Sequence, residues 1–581
     1  MSDFSRILNA GRPLTLASVA RGAQPLVMAD LARAAKGRAV FVAPDEQAMR
    51  AVTDAARWFA PELQVIEFPA WDCLPYDRAS PALSVSSRRL SALHQLQAGK
   101  TSSQLLVTTV NALLQRVLTP FRIREAVREL KPGMRIGYES LTALLRRQGY
   151  NRTDTVIDTG EFAVRGSIFD VFPAGLDQGL RLDFFGDELE SLRLFDPSTQ
   201  RTTATVDGHL LLPASEALLD DDTVKRFRSR YREAFGANAT QDPLYQAVSD
   251  GRRLAGMEHW LPLFEDRLAT LFDHLGDDDI VVIESTAVGA GEERLADVED
   301  YYRQRRETAG QAVGSYRPLE PAALYLSREE FAVALEQRPV HRASIFAEPE
   351  SAKAVDFGFR SARDFAPERS RGDNVYEAAA AHFKLLGHAG KRPLFAAYSE
   401  GSRSRITSIL TEAGTNLTNA DSWQEALGLS AKGAPVAMVL PLDTGFANDE
   451  VELVTEQDLL GDRLVRRRKR RKDSDAFLAE LSALNRGDLV VHLDHGIGKY
   501  LGLEPITVGQ SQHDCVRLEY AGGDKLFIPV ENIDVLSRYG SGEDGAVLDR
   551  LGGEGWQKRK ARLKERIRAI ANELLRTAAA R

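Results

Sequence analysis

The chain is 581 residues long, 43% of them hydrophobic, with 75 basic and 83 acidic residues and a formal net charge of −8. This length predicts about four domains, and the charge balance argues against a dedicated nucleic-acid coat protein. Its only cysteines, Cys73 and Cys515, support neither a disulfide framework nor a cysteine zinc site. Apolar runs too short to cross a bilayer and the lack of a signal pattern predict a cytoplasmic protein without membrane contact.

Residues 1–131 alternate short apolar runs with helical patterns. The strand-like runs are Ala39–Ala43, Val65–Phe68 and Leu105–Val110, and Ser87–Leu96 has the pattern of a helix. This alternation predicts a mostly parallel sheet with helices between its strands.

The first strand of a P-loop ATPase leads into a glycine-rich loop ending in Gly-Lys-Ser/Thr, which holds phosphate and magnesium. Here the predicted strand Leu14–Leu16 leads instead into Arg21-Gly22-Ala23-Gln24, without the lysine or the hydroxyl. The similar run Gly99-Lys100-Thr101 has His94 where the loop's first glycine would stand, and it precedes a strand. Residues 21–24 therefore lack the groups of a working phosphate loop, and we predict no catalytic residue, cofactor or metal. That they are the degenerate loop of a nucleotide-binding fold is implied by their resemblance to the corresponding stretch of UvrB-type ATPases.

The segment Glu161–Asp196 predicts a β-hairpin. Leu180, Leu182 and Phe184 would face one side of a strand, and Arg181, Asp183 and Phe185 the other. Gly186-Asp187 would turn the chain into a second strand carrying Leu192 and Leu194. An outward aromatic beside an arginine is typical of a protein-binding hot spot, although a single such pair also occurs on ordinary solvated faces.

The middle of the chain predicts further α/β structure without a recognisable chemical site. It contains the strand Ile280–Ile283 and, after a charged boundary at Glu348–Arg371, a second α/β unit. That unit has the strand Leu394–Ala397, the helix Arg403–Glu412 and the strand Val436–Leu440. We predict no function for it beyond spacing its neighbours.

The last third predicts a linker, a small β module and a helix. The basic run Arg466–Lys472 is typical of a solvated tether, with weak phosphate contact as the alternative. Strands at Leu489–His492, Val516–Tyr520 and Leu526–Val530, with a turn at Gly522-Gly523-Asp524, predict an SH3-like barrel. From Trp556 onward, an apolar stripe of Leu563, Ile567, Ile570 and Leu574 predicts an amphipathic helix running to the last residue.

Two details of the β module bear on its chemistry. His492, Asp494 and His495 suggest metal ligands, but strand alternation would separate His495 from the other two, so we expect no metal site. Gly496 and Gly498 fit a bend between strands.

Three blocks, Phe68–Leu96, Glu161–Asp196 and Asp488–Tyr539, resemble the transcription-repair coupling factor family, Mfd. The first block contains Leu74-Pro75-Tyr76-Asp77 and Ser87-Arg88-Arg89-Leu90 and lacks the tyrosine-rich hairpin of UvrB. It is therefore more similar to Mfd than to UvrB.

This resemblance implies an α/β multidomain fold. It comprises a degenerate RecA/P-loop-like UvrB-homology module with an inserted β domain, a further α/β domain, a small SH3/Tudor-like β-barrel and a C-terminal helix. The implied boundaries are 1–131 and 213–350 for the UvrB-like module, 132–212 for the inserted domain, 351–455 for the middle domain, 456–480 for the linker, 481–548 for the barrel and 549–581 for the helix.

The resemblance also implies partners. The inserted domain would bind UvrA through Arg165, Arg181 and Phe185. The barrel would pair a strand edge with the RNA polymerase β subunit, using Lys499, Tyr500, Leu501 and Ile506. The chain would then be the non-catalytic N-terminal part of a factor that links stalled RNA polymerase to UvrA in nucleotide excision repair. ATP, magnesium and most DNA contact would belong to motor domains that it lacks.

Two alternatives stay open. One is a CarD-like regulator that binds RNA polymerase independently of UvrA. The other is a divergent UvrB-like ATPase using Gly99–Thr101.

Overall fold

Two structural units make up the chain, residues 1–467 and 468–581, and each is described by itself. The computed structural model describes residues 2–98, 102–308, 316–349, 351–461, 489–492, 495–508, 511–529, 536–540 and 548–550. Gly99–Thr101, the basic run Arg466–Lys472, Val530 and the helix predicted from Trp556 lie outside these residues.

The strands of the first unit are, in chain order, β1 (Thr15–Ala17), β2 (Ala39–Ala43), β3 (Gln64–Phe68), β4 (Gln104–Thr109), β5 (Arg128–Leu130), β6 (Asn151–Arg152), β7 (Glu161–Arg165), β8 (Ile168–Val171), β9 (Gly179–Phe185), β10 (Glu188–Phe195), β11 (Thr202–Val206), β12 (His209–Leu211), β13 (Ile280–Glu284), β14 (Val340–Ala343), β15 (Ala354–Asp356), β16 (Arg360–Ser361), β17 (Arg392–Ala397), β18 (Thr418–Ala420), β19 (Val436–Val439), β20 (Phe446–Ala447) and β21 (Val451–Thr455).

Its helices are α1 (Ser2–Leu8), α2 (Gln24–Ala34), α3 (Glu46–Phe59), α4 (Leu83–Gln97), α5 (Val110–Leu113), α6 (Pro120–Ala126), α7 (Tyr138–Arg147), α8 (Asp221–Phe235), α9 (Pro243–Ser249), α10 (Leu261–Phe264), α11 (Ala287–Thr308), α12 (Pro321–Leu324), α13 (Arg328–Glu336), α14 (Ala366–Arg371), α15 (Val375–His388), α16 (Glu400–Glu412), α17 (Trp423–Leu429) and α18 (Glu456–Leu460).

A seven-stranded parallel sheet, in the order β15-β1-β14-β13-β2-β4-β3, forms the centre of what we call the α/β domain. Every residue of β2 and of β4 is buried. Helices cover both faces of such a sheet, which explains why its inner strands are continuous apolar runs. The predicted strand Ala39–Ala43 is confirmed with the same bounds. Because β15 pairs with β1, the sheet continues past residue 350, where the boundary was expected.

A second sheet forms an inserted domain between β4 and β13, in the order β11-β10-β9-β8-β7-β6. The predicted hairpin is confirmed, since β9 and β10 pair around Gly186, whose φ is +62°. Leu180, Leu182 and Phe184 are buried against α7, as predicted. At the base, β5 and β12 pair antiparallel, so the chain enters and leaves the inserted domain side by side.

A buried ion pair fixes the base of the inserted domain. The side chains of Arg89 on α4 and Glu216, just after β12, are both fully buried. Arg89 Nε donates to Glu216 Oε1 at 2.7 Å, and the same oxygen accepts Trp71 Nε1–H at 2.7 Å. The guanidinium also donates to the Pro69 carbonyl at 2.8 Å and lies 4.4 Å from the Phe68 ring centroid. The Phe68–Leu96 block therefore provides the surface on which the base of the inserted domain packs.

Residues 360–460 form the middle domain, with the mixed sheet order β16-β20-β21-β17-β19-β18. Its β17, α16 and β19 confirm the strand–helix–strand pattern predicted from Leu394 to Leu440. It shares an apolar core with the α/β domain, in which Phe59 of α3 packs edge-on against Trp423 with ring centroids 5.1 Å apart. The middle domain therefore packs against the α/β domain and is not a separate spacer.

A buried histidine predicts acid sensitivity of the α/β domain. His341 on β14 is 1% exposed, and its Nδ1 accepts the Leu14 N–H at 3.2 Å. Burial lowers the pKa of His341 to about 4, whereas an unperturbed histidine has a pKa near ~6.5. Between these pH values the unfolded chain binds more protons than the folded chain, so stability falls as the pH drops from about 6.5 towards 4.

We expect His341→Asn, which keeps an acceptor for the Leu14 N–H, to reduce the loss between about pH 7 and about pH 5 by about 2 kcal/mol. Urea unfolding of both proteins at about pH 7 and about pH 5 measures the difference. The same pH dependence in wild type and variant would contradict the assignment.

The second unit is an antiparallel sheet in the order β25-β24-β23-β22-β26. Its strands are β22 (Leu489–His492), β23 (Gly496–Val508), β24 (Ser511–Glu519), β25 (Lys525–Pro529) and β26 (Leu536–Gly540). The core contains Val490, Tyr500, Val516, Leu518, Tyr520 and Ile528. The predicted common face of Val516, Leu518 and Tyr520 is thus confirmed, as is the Gly522-Gly523 turn, with φ of +96° and +84°.

Two expectations for this unit are wrong. Gly498 is not at a bend but inside β23, opposite Val490, where a Cβ would lie 3.0 Å from the Tyr520 ring. Alternation does not separate His492 from His495, because their ring centroids are 4.5 Å apart. The His495 N–H donates to His492 Nδ1 at 3.2 Å, so His495 lies past the end of β22 rather than within its alternation.

Candidate protein-docking surfaces

An exposed aromatic ring stands at the tip of the β9–β10 hairpin. Phe185 is 81% exposed, whereas Phe184 beside it is buried and packs on Phe169 with ring centroids 5.5 Å apart. Strand alternation therefore presents Phe185 on the outer face of the inserted sheet, as predicted. Aromatic side chains displayed in this way are typical anchors of protein interfaces.

Arg181 lies on the same outer face, but the sheet itself covers most of it. Its side chain is 17% exposed, and Nε and Nη2 donate to the carboxylate of Asp170 at 2.7 and 2.9 Å. Its guanidinium carbon lies 4.9 Å from the Phe195 ring centroid. Asp170 is itself 3% exposed, so Arg181 neutralises a buried carboxylate and shapes the face around Phe185. The expectation of a freely outward Arg181 is corrected to this extent.

Arg165, at the end of β7, remains exposed. Its Nη2 donates to the Asp154 carbonyl and to Thr155 Oγ1, both at 2.7 Å. These two bonds hold the guanidinium in one place and leave its other donors available to a partner. The structure thus brings Arg165, Arg181 and Phe185 onto one face.

Sequence reasoning missed Arg135, which lies beside Phe185. Glu188 pairs with Phe185 across the hairpin and bridges to Arg135 on its other side. The Arg135 side chain is 82% exposed and makes a loose ion pair with Glu188 at 3.6 Å. No sequence signal marks Arg135, because it pairs with a strand some fifty positions later. Only the cross-strand register reveals it.

One further arginine completes what we call the hairpin face: Arg135, Arg165, Phe185 and Arg193. Arg193 is 38% exposed and donates to Asp183 Oδ2 at 2.5 Å through Nη2, while Ser191 Oγ donates to the same oxygen at 2.9 Å. The face thus presents one aromatic ring among guanidinium groups, with the 48% exposed carboxylate of Glu188 between Phe185 and Arg135. It is complementary to a surface with an apolar slot bordered by carboxylates.

Strand β23 is the second candidate surface. Lys499 is exposed, Tyr500 is 6% exposed and belongs to the core, and Leu501 is half-buried. A β-bulge lies at Leu501, because Tyr500 pairs with Leu518 while Gly502 pairs with Arg517. Such a bulge redirects the side chain of its extra residue. Tyr500 thus stabilises the module, and Lys499 and Leu501 are the two of these three that a partner can reach.

The half of β23 from Leu501 to Val508 has one open edge. Ile506 pairs with His513 of β24 on one side. β22 pairs with β23 only from Gly496 to Lys499, and no strand among the described residues pairs with the other side beyond that point. An open strand edge is the geometry required for β-augmentation by a partner strand.

The predicted phosphate loop is a short 3-10 helix, Arg21–Ala23, followed by α2. Several backbone donors in and just before it are already used: Ser18 and Val19 donate to the carbonyls of Phe346 and Ser344, both at 2.9 Å. Ala23 and Gln24 both donate to the Ala20 carbonyl, at 2.8 and 3.1 Å. A phosphate-binding loop needs such N–H groups to converge on the anion. The four bonded N–H groups are therefore not free to hold phosphate.

No cluster of three or more His, Cys, Asp or Glu side chains in the described ranges has the geometry to hold a metal ion. None of the helices defined above is both long enough and apolar enough to cross a bilayer.

Three family models match the chain. The UvrB interaction domain matches residues 129–216, which include the hairpin face. The MFD D3 domain matches residues 386–459, most of the middle domain. The CarD-like/TRCF RID domain matches residues 484–540, the sheet of the second unit.

Comparisons of the whole chain with related proteins agree with these domain matches. The chain is 32% identical over 544 residues to the transcription-repair-coupling factor of Rickettsia bellii, covering 93% of this chain and 47% of that protein. It is 32% identical to those of Haemophilus influenzae, covering 96% and 48%, and Escherichia coli, covering 93% and 46%. The chain thus spans about half the length of these relatives. Over that half it is similar to the transcription-repair-coupling factors, and it matches the models of the UvrB interaction, MFD D3 and CarD-like/TRCF RID domains.

Proposed function

We propose that this chain is the adapter part of a transcription-repair coupling factor, recruiting UvrA to stalled RNA polymerase in nucleotide excision repair. The observation that carries the proposal is the presence of a UvrB interaction domain and a CarD-like RID domain in one chain. The inserted domain would bind UvrA through the hairpin face, and β23 would pair with the polymerase β subunit. The adapter would work in the cytoplasm.

In this proposal the chain performs no catalysis and holds no nucleotide or metal. The α/β domain is a degenerate RecA-like fold, which its parallel strand order and internally bonded phosphate loop support. The second unit is a small SH3/Tudor-like barrel, supported by its five antiparallel strands around one core. DNA contact would come mainly from a motor, with at most weak contact by the basic run Arg466–Lys472.

The test of the adapter proposal is bridging. Immobilised N-terminal lobe of the β subunit is expected to retain UvrA only when this chain is present. Retention of the chain without UvrA, under conditions where the chain binds UvrA alone, would contradict an adapter. It would favour the CarD-like regulator, the second candidate, which the RID match supports independently of UvrA.

The polymerase contact can be assigned to one edge of the sheet. We expect Leu501→Arg to abolish co-elution of the chain with the β-subunit lobe, because it places a charge at the bulge beside the open edge of β23. Phe527→Arg, on β25 at the opposite edge and 38% exposed, is expected to leave co-elution intact. Circular dichroism checks the folding of both variants.

Loss with Phe527→Arg and retention with Leu501→Arg would move the contact to β25. Ile506→Arg extends the test along the same edge of β23, and we expect it to behave like Leu501→Arg. Full binding by all three variants would contradict strand addition at either edge.

A further inference from the structure

The loop that would hold phosphate in an ATPase touches another part of this chain. At Gly22, a Cβ would lie 2.1 Å from the carbonyl oxygen of Thr444 and 3.1 Å from that of Gly445, both in the middle domain. The first distance is far inside van der Waals contact, so only glycine permits this approach. The backbone of Gly22 is not in the left-handed region, which leaves the contact itself as the reason for glycine.

Apolar packing continues outward from this contact. Ala20, Ala23 and Leu26, from the loop and the first turn of α2, are buried in one core with Trp423 and Phe446 of the middle domain. Phe59 of α3 lies in the same core, with ring centroids 5.1 Å from Trp423 and 6.3 Å from Phe446. Ala23 stands where the phosphate-binding lysine would be, and it is fully buried. A lysine at this position would have to enter the apolar interface.

We propose that the β1–α2 loop is the docking site of the middle domain. The Thr444–Gly445 segment of the middle domain stays bound to this loop at all times. Two independent observations meet here. Four N–H groups in and just before the loop are bonded to carbonyls of the α/β domain. Gly22 is buried, and a Cβ on it would meet a backbone carbonyl of the middle domain. On this assignment the α/β and middle domains move together as one body, with or without ATP. This gives the middle domain the function that the sequence did not reveal.

The proposal predicts one cooperative unfolding transition for the two domains. Gly22→Val is expected to release the middle domain, because the added side chain displaces the Thr444 carbonyl. Calorimetry of the full chain would then show the domains melting in two transitions. Tryptophan emission would shift to the red, since Trp58 and Trp423 lie at the interface with ring centroids 6.5 Å apart. Gly11→Val is the matched control, because a Cβ at Gly11 meets nothing within 4 Å.

A second variant covers the case in which Gly22→Val fails to fold. Trp423→Gln alters the interface from the middle-domain side, and the same split transition is expected. If Gly22→Val melts in a single transition with unshifted emission, like Gly11→Val, the docking role is overturned. A single transition for Trp423→Gln, which is read by calorimetry alone because it lacks one of the emitting rings, overturns it as well. ATP with magnesium is expected to change neither the transition nor the emission. An ATP-dependent shift in wild type would show that the loop still takes a nucleotide, which also overturns the proposal.

Discussion

Replacing Arg89 by methionine is expected to lower the free energy of unfolding of the first unit by about 3–5 kcal/mol. Removing the guanidinium leaves Glu216 fully buried with an uncompensated charge, because its remaining side-chain donor is Trp71 Nε1. The substitution also removes the bond to the Pro69 carbonyl and the contact with the Phe68 ring. Urea unfolding followed by tryptophan fluorescence measures the loss.

The neighbouring arginine provides a matched control for this prediction. Arg88 is 44% exposed and pairs with Glu67 at 3.6 Å, so Arg88→Met is expected to change stability by no more than about 0.5 kcal/mol. The double variant Arg89→Met/Glu216→Gln is expected to regain much of the loss, because the amide is neutral and still accepts the Trp71 N–H. A double variant as unstable as Arg89→Met would show that lost packing, and not the stranded charge, is responsible.

Phe185→Asp is expected to weaken UvrA binding by about 30-fold or more, the effect of losing one hot-spot aromatic at about 2 kcal/mol. Since Phe185 is 81% exposed, its replacement should change stability by no more than about 0.5 kcal/mol. A titration of labelled chain with UvrA measures the affinity. Phe121→Asp is the matched control, being a 66% exposed phenylalanine on α6, outside the hairpin face. Equal weakening by both substitutions would contradict a specific role for the hairpin face.

Arg181 gives a poorer test of the same interface. Arg181→Glu would place a second carboxylate beside Asp170, which is 3% exposed and paired with Arg181 in the native sheet. We expect this variant to lose UvrA binding together with stability of the inserted domain. Arg135→Glu separates the two effects, because Arg135 is 82% exposed and its replacement should affect binding alone.

Local pattern was enough to predict the regular elements. The apolar run Ala39–Ala43, the alternation from Leu180 to Phe185 and the Gly522-Gly523 turn each contain their own signal within a few residues. The structure confirms all three. The same reasoning failed past the end of a strand, at His495, whose ring lies 4.5 Å from that of His492 although alternation was expected to separate them.

Contacts between distant segments could not be predicted in this way. Strand register brings Arg181 to Asp170 and Arg135 to Glu188. Domain packing brings Gly22 to Thr444. Considered alone, Arg181 suggested an exposed cation and Gly22 a degenerate loop. Arg135 suggested no role. The candidate site was therefore predicted in outline, while the division between structural and available arginines required the three-dimensional arrangement.

The paired strands β5 and β12 place the two ends of the inserted domain next to each other. Its entry and exit are antiparallel neighbours, His209 opposite Leu130 and Leu211 opposite Arg128, and the Cα atoms of such pairs lie about 4.5–5.5 Å apart. A two-residue turn can span that gap. A short turn could thus close the chain if the inserted domain were removed, but bonds to the flanking segments, such as Leu219 N–H to the Arg147 carbonyl at 3.1 Å, would be lost.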